Sequence, residues 1–113
     1  MRIYISLPIT GMDFDKVCRC VNLAKDAIRK KGHEPVSPID QDTTQDYATL
    51  MGNDIREILR CDAALFLDGW RKSRGCCLEH AAARIYEKGA IYGIEGIPEN
   101  PALWHVLDKD SKM

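Results

Sequence analysis

Short apolar runs bounded by turn-forming residues alternate along the chain with longer segments whose apolar side chains recur every three or four residues. The short runs are typical of strands in a parallel sheet, and the longer segments are typical of amphipathic helices. The run at 34–36 contains a proline, which suits a strand at the edge of a sheet. We therefore predict strands at residues 2–7, 34–36, 63–67 and 89–92 and helices at residues 15–31, 47–60 and 74–88.

This alternation of strands and helices implies a parallel sheet joined by right-handed crossovers. The predicted fold class is α/β, a Rossmann- or flavodoxin-like three-layer sandwich. Four strands in the order 2-1-3-4 are expected, and a fifth strand is left open. Residues 1–93 would form this domain, and residues 94–113 would add a tail in which Asn100 and Pro101 begin a short helix.

The strand order 2-1-3-4 places the switch point of the sheet between the first and third strands, where open α/β sheets bind their ligands. The loop from Pro8 to Gly11 and the loop from Asp68 to Ser73 follow these strands, so we expect them to face each other across one cleft. Ser73 is a good N-cap for the third helix, in which Leu78 and Ile85 follow at helical spacing. Glu79 falls in the second turn of that helix, and the spacing alone leaves open whether it faces solvent or the cleft.

Length and composition favour one small soluble domain in a reducing compartment. The chain has 113 residues, a net charge of −1 and five cysteines. This charge gives no electrostatic reason to expect binding to polymeric nucleic acid or to a membrane surface. An odd cysteine count, together with a sequence that contains no signal-peptide pattern or membrane-length apolar run, favours the cytoplasm.

The absence of the usual sequence motifs disfavours several classes of cofactor site. The chain contains no dinucleotide-binding GxGxxG, no Walker loop and no nucleophile elbow. The cysteines and histidines lack the spacing of a zinc site. Cys76 and Cys77 fall in the first turn of the third helix, where the helix dipole could activate a thiol, although small packing residues are the more common occupants. We therefore expect neither a metal nor a cofactor.

Four sequence pieces resemble one enzyme superfamily. The opening YISLPITG resembles YIAGPMTG, NDIREILRCD resembles N-D-x-x-x-I-x-x-x-D, DGW follows the third strand, and SRGCCLEH resembles SRGAxxEH. Over residues 4–93 the chain thus resembles the nucleoside 2-deoxyribosyltransferase superfamily and, most closely, its DUF4406-type branch. It differs at Ser6 and Leu7, which replace the alanine and glycine of that branch.

The resemblance implies roles for individual residues. Glu79 falls on the nucleophilic glutamate, Asp54 on the aspartate that contacts the sugar and assists proton transfer, and Tyr4 on the tyrosine that holds the nucleophile or the sugar. Ser73 falls where the related deoxynucleoside 5′-monophosphate N-glycosidases carry a phosphate-binding serine. With the two loops, the predicted substrate-binding residues are Pro8, Thr10, Gly11, Asp68, Gly69, Ser73, Arg74 and Gly75.

Two functions of different kinds follow from this assignment. One is an N-glycoside hydrolase or deoxyribosyltransferase that acts on a nucleoside or its 5′-monophosphate through a glutamate nucleophile. The other is a non-catalytic nucleotide-binding or sensing module, since fold alone does not establish function. In both cases the partner is a small nucleoside or nucleotide. The resemblance also implies a homo-oligomer, because a neighbouring subunit often completes the cleft in this superfamily.

Overall fold

The computed structural model describes residues 1–40 and 44–100 of the chain. Four parallel strands form one sheet in the order β2-β1-β3-β4, which confirms the predicted fold class and strand order. The predicted tail helix that begins at residue 100 lies outside the described residues, and the domain boundary at residue 93 stays a prediction. The elements are β1 Arg2–Ser6, α1 Phe14–Lys30, β2 Glu34–Val36, α2 Tyr47–Arg60, β3 Ala63–Phe66, α3 Arg74–Ile85 and β4 Gly89–Tyr92.

Alternate side chains of β1 enter two different layers of the fold, because successive residues of a strand point to opposite faces of the sheet. Ile3 and Ile5 pack with the buried stripe of α1 in one apolar cluster. Tyr4 points to the other face, where it packs with residues of α2, β3 and α3. Ser6 shares that face with Tyr4, so the end of β1 presents two side chains with hydroxyl groups to α3.

The helix boundaries differ from the predictions by up to three residues. Helix α1 begins at Phe14, because the Asp13 side chain caps it by accepting from the amide of Asp15. Helix α3 ends at Ile85 instead of residue 88. There Glu87 adopts a left-handed conformation with φ of 57°, and the amide of Lys88 donates to the carbonyl of Ala83. This turn reverses the chain into β4.

The segment after β4 packs back on the turn between α1 and β2. Ile97 is buried in the α1-side core, and the amide of Asn100 donates to the carbonyl of Lys31 at 2.9 Å. The Asn100 side chain also donates to the carbonyl of Gly32. Across residues 1–40 and 44–100, none of the helices combines the length and the apolar character that crossing a bilayer requires.

Candidate functional site

A cleft of about 1030 Å³ opens at the carboxyl ends of β1 and β3. The two loops that follow these strands meet there, and a Cβ added to Gly69 would lie 3.4 Å from the ring of Pro8. The cleft is therefore formed by the strand ends, the two loops and the first turns of α3. Its walls include the sequence-predicted residues Pro8, Thr10, Asp54, Asp68, Gly69, Ser73, Arg74, Gly75 and Glu79.

Two of the predicted site residues, Gly11 and Tyr4, do not line the cleft. Gly11 lies in the exposed turn that follows Thr10, and its φ of 78° is one that glycine adopts readily. Tyr4 is fully buried beneath the cleft, where its hydroxyl reaches Glu79. The binding role of Gly11 stays a prediction.

Glu79 faces the cleft and not the solvent, which answers the question that its sequence position left open. Its side chain is only 4% exposed. The Tyr4 hydroxyl donates to Oε2 at 2.9 Å, and the Ser6 hydroxyl donates to Oε1 at 2.7 Å. Each carboxyl oxygen thus accepts a hydrogen bond from β1, and the carboxyl group is held at the floor of the cleft.

Asp54 of α2 completes a cluster of buried ionisable groups around Glu79. It is 9% exposed and lies within hydrogen-bonding reach of both the Tyr4 hydroxyl and the Glu79 carboxyl. Burial raises the pKa of Glu79 to about 8; the hydrogen bonds from Ser6 and Tyr4 oppose that rise, and the charge of Asp54 adds to it. Burial, with the charges of both carboxyl groups, also raises the pKa of Tyr4, which keeps its hydroxyl as a donor.

Ser6 is the site residue that the sequence reasoning missed as a functional group. Ser6 is fully buried. The sequence comparison noted it only because it replaces the alanine of the related motif. Strand periodicity carried a usable signal, because residues 4 and 6 of one strand must share a face. A polar residue two positions after Tyr4 in the same strand was therefore expected to point, like Tyr4, toward Glu79.

The beginning of α3 supplies donors and positive charge to one end of the cleft. The Ser73 hydroxyl caps the helix by accepting from the amide of Cys76 at 3.3 Å, which confirms Ser73 as the N-cap. That bond engages the Cys76 amide, whereas the amides of Arg74 and Gly75 belong to the first turn, where no acceptor exists within the helix. The side chains of Lys72 and Arg74 lie exposed on the same wall.

Cys76 is a buried residue and not an activated thiol. Its side chain is 2% exposed, and burial raises the pKa of its thiol. This effect is opposite to the one that a helix N-terminus alone would produce. Within residues 1–40 and 44–100, no cluster of three or more histidine, cysteine or acidic side chains is arranged to hold a metal ion.

An aromatic cluster fixes the loop between β3 and α3 against the rest of the domain. The rings of Trp70 and His80 lie 4.4 Å apart, and Phe66 packs against both. The Tyr92 hydroxyl and His80 Nε2 are joined by a hydrogen bond of 2.8 Å. Trp70 follows Gly69, whose φ of 88° starts the turn. The wall that carries Asp68 and Ser73 is thereby tied to α3 and β4.

Apolar and aromatic side chains line much of the remaining cleft. Leu7, which replaces a glycine of the related motif, is 7% exposed and packs in the α1-side core at the cleft floor. Phe14 and Tyr47 lie at the rim with 60% exposure each. A flat apolar group could therefore enter between α1 and α2 while its polar end met the carboxyl cluster.

Solved structures with a similar fold include two transferases. One is a 2-deoxyribosyltransferase from the psychrotolerant bacterium Bacillus psychrosaccharolyticus, described as a biocatalyst for nucleoside synthesis. It is 20% identical over 81% of this chain and 71% of its own, with a TM-score of 0.64. Another is a 2-deoxyribosyltransferase from Leishmania mexicana, 19% identical over 80% of this chain and 62% of its own, with a TM-score of 0.63.

At this level of identity the two similarities concern the fold. No curated protein matches the sequence significantly. A family model does match, over residues 1–92. The chain therefore belongs to the DUF4406 family, which is described as a domain of unknown function.

Proposed function

We propose that this protein cleaves the N-glycosidic bond of a deoxynucleoside or its 5′-monophosphate, with Glu79 as the nucleophile and Asp54 as the proton donor. One observation carries the proposal. A carboxyl group that is only 4% exposed forms the floor of the cleft, with one donor on each oxygen and a second carboxyl group beside it. The 2-deoxyribosyltransferase fold of the structural neighbours supports the same chemistry by analogy.

A purely structural role explains this arrangement poorly. Burying two neighbouring carboxyl groups costs several kcal/mol, and apolar residues of similar size would stabilise the domain more. The surrounding layer shows that such residues fit, since Ile58, Ala64 and Ala83 fill the rest of it. A costly acidic pair that opens on a cleft is what catalysis of glycosidic cleavage requires.

The proposed reaction has two steps. First, a carboxylate oxygen of Glu79 attacks the anomeric carbon, the bond from that carbon to the base nitrogen breaks, and the bond electrons remain on the base. The departing base takes a proton from Asp54. In the second step water attacks the same carbon and gives its proton to Asp54, which releases the Glu79 carboxylate. The products are the free base and the deoxyribose or its 5-phosphate; a second base in place of water gives a transferase.

A single proton shared by Glu79 and Asp54 suits both roles. Two adjacent buried carboxyl groups cannot both ionise easily, so the pair retains one proton over a wide pH range. Positive charge that develops at the anomeric carbon favours the anion on Glu79, the group closest to that charge. The proton is then left on Asp54, where the departing base needs it.

A phosphate group fits the end of the cleft formed by the start of α3. The amides of Arg74 and Gly75 and the hydroxyl of Ser73 are donors there, and the positive end of the helix dipole favours an anion. Lys72 and Arg74 add two cationic side chains. The 5′-monophosphate is therefore the preferred form of the proposed substrate.

The experiment that tests the reaction measures free base released from a panel of deoxynucleosides and their 5′-monophosphates by chromatography. We expect Glu79→Gln to lower the rate by several orders of magnitude and Asp54→Asn to lower it steeply, while both variants still bind the substrate. Glu34→Gln is the matched control, because Glu34 is an exposed glutamate on the edge strand β2. Release of base at the wild-type rate by Glu79→Gln would refute the role of Glu79.

The alternative function is a nucleotide-binding module without turnover. It would be established if the wild-type protein binds a deoxynucleotide by calorimetry but releases no base with water or with any added base as the acceptor. In the same assay we expect a 5′-monophosphate to bind more tightly than its nucleoside. Ser73→Asp should reverse that preference because it places a negative charge where the phosphate would lie. Equal affinities in the wild-type protein would remove the phosphate site.

A further inference from the structure

We propose that Ser6 is a positioning residue that orients the Glu79 carboxyl group and favours its ionised form. The catalytic consequence rests on the proposed function, whereas the effect on Glu79 itself does not. Alanine stands at this place in the motif that the chain resembles. We therefore expect Ser6→Ala to keep the fold.

The position of Ser6 leaves its hydroxyl few alternatives. The residue is fully buried in β1, and its Oγ lies 2.7 Å from Glu79 Oε1. Tyr4 donates to the other oxygen at 2.9 Å. The carboxyl group cannot rotate about its terminal torsion without giving up both bonds. Because hydrogen bonds to a charged acceptor are stronger than those to a neutral one, the Ser6 bond favours the ionised carboxylate.

Among the described residues, the ionisable groups that face Glu79 are Tyr4 on β1, Asp54 on α2 and Cys76 on α3. The charged side chains on the cleft walls are Lys16, Asp68, Lys72, Arg74 and Glu95.

The test is a titration of the Glu79 carboxyl carbon by nuclear magnetic resonance in protein labelled with ¹³C-glutamate, without substrate. Its signal is assigned by its loss in Glu79→Gln. We expect Ser6→Ala to raise the pKa of Glu79 by about one to two units, because it removes a charge-assisted hydrogen bond. The matched control is Ser37→Ala, which removes another buried hydroxyl, one that accepts from the amide of Ile39.

The outcomes separate this proposal from the proposed function. An unchanged Glu79 pKa in folded Ser6→Ala, or an equal rise in Ser37→Ala, would overturn the role of Ser6. If Ser6→Ala fails to fold, Ser6→Cys decides, because a thiol keeps a small side chain but donates only weakly, and an unchanged pKa of Glu79 in that variant counts against the proposal. Where base release is measurable, Ser6→Ala should lower the rate and shift the alkaline limb of the pH–rate profile upward by the same one to two units, because the pair keeps its last proton to a higher pH. A wild-type protein without activity would refute the reaction but leave the titration result standing.

Discussion

Glu79 should make the folded protein less stable as the pH rises from mildly acidic to mildly alkaline values. The carboxyl group is buried, and its pKa rises from the ordinary 4.5 to about 8 in the folded chain. Below pH 4.5 it is protonated whether the chain is folded or not. Between these two values the unfolded chain releases the proton while the folded chain keeps it, so stability decreases with rising pH. Above about pH 8 the loss is complete.

The size of this loss follows from the pKa difference. At 1.36 kcal/mol per pKa unit, the rise to about 8 corresponds to about 5 kcal/mol of unfolding free energy. Because Asp54 shares the proton, the loss belongs to the pair of carboxyl groups. A domain of this size has a total stability of roughly 5–15 kcal/mol, so the change would be a large part of the whole.

Urea denaturation at pH 5, 7 and 8.5, followed by tryptophan fluorescence, measures the effect. We expect the wild-type protein to lose stability across this range and Glu79→Gln to lose far less, so that the variant is the more stable protein at pH 8.5. At pH 5 the amide of the variant meets two hydroxyl donors and should cost about 1 kcal/mol. The exposed-glutamate variant Glu34→Gln should follow the wild type. Parallel pH dependences for wild type and Glu79→Gln would refute the reasoning.

Three further substitutions test separate parts of the structure. Tyr4→Phe removes the donor to Glu79 Oε2 and should lower the rate of base release at pH 7 about tenfold or more, because less of the negative charge of the pair then lies on Glu79. Gly69→Ala forces an alanine to φ of 88° and should cost about 1–2 kcal/mol in urea denaturation, with a weaker affinity for nucleotides because the loop shifts. Ile58→Ala leaves a cavity at a fully buried position and should cost about 2–5 kcal/mol in the same denaturation experiment, without changing the pKa of Glu79.

The sequence predicted the sheet well, because buried parallel strands and amphipathic helices differ in length and in hydrophobic period. It was less informative about the end of α3. No glycine marks that end, and the left-handed residue is Glu87, whose conformation depends on the need to enter β4. The helical spacing of Leu78 and Ile85 predicted the helix correctly but not its buried face. Both side chains are more than half exposed.

The position of Glu79 could not be predicted from the sequence because the buried face of α3 was not known. The buried residues of α3 are Cys76, Glu79, Ala82 and Ala83. A glutamate on this buried stripe departs from the usual hydrophobic pattern, so periodicity did not show whether Glu79 faces solvent or the cleft. Only the resemblance to a known motif identified it as a candidate catalytic residue. The same stripe places Cys76 one turn before Glu79. Glu79 and Asp54 lie together at the cleft, while their catalytic roles stay a proposal.

At the carboxyl pair of Glu79 and Asp54, the stability of the fold and the proposed chemistry have opposite requirements. Glu79 attacks only as an anion, yet burial disfavours that anion in the folded chain. Raising the pH does not resolve this conflict, because it weakens the fold between pH 4.5 and about 8 and, above about pH 8, removes the proton that Asp54 must donate. The donors Tyr4 and Ser6 reduce the conflict, because they stabilise the anion on Glu79 without adding solvent to the site. A chain that lost them would carry the negative charge of the pair on Glu79 in a smaller fraction of molecules and would react more slowly. The two polar side chains at the end of β1 are thus explained by one requirement, which is a buried carboxylate that can ionise while the protein stays folded.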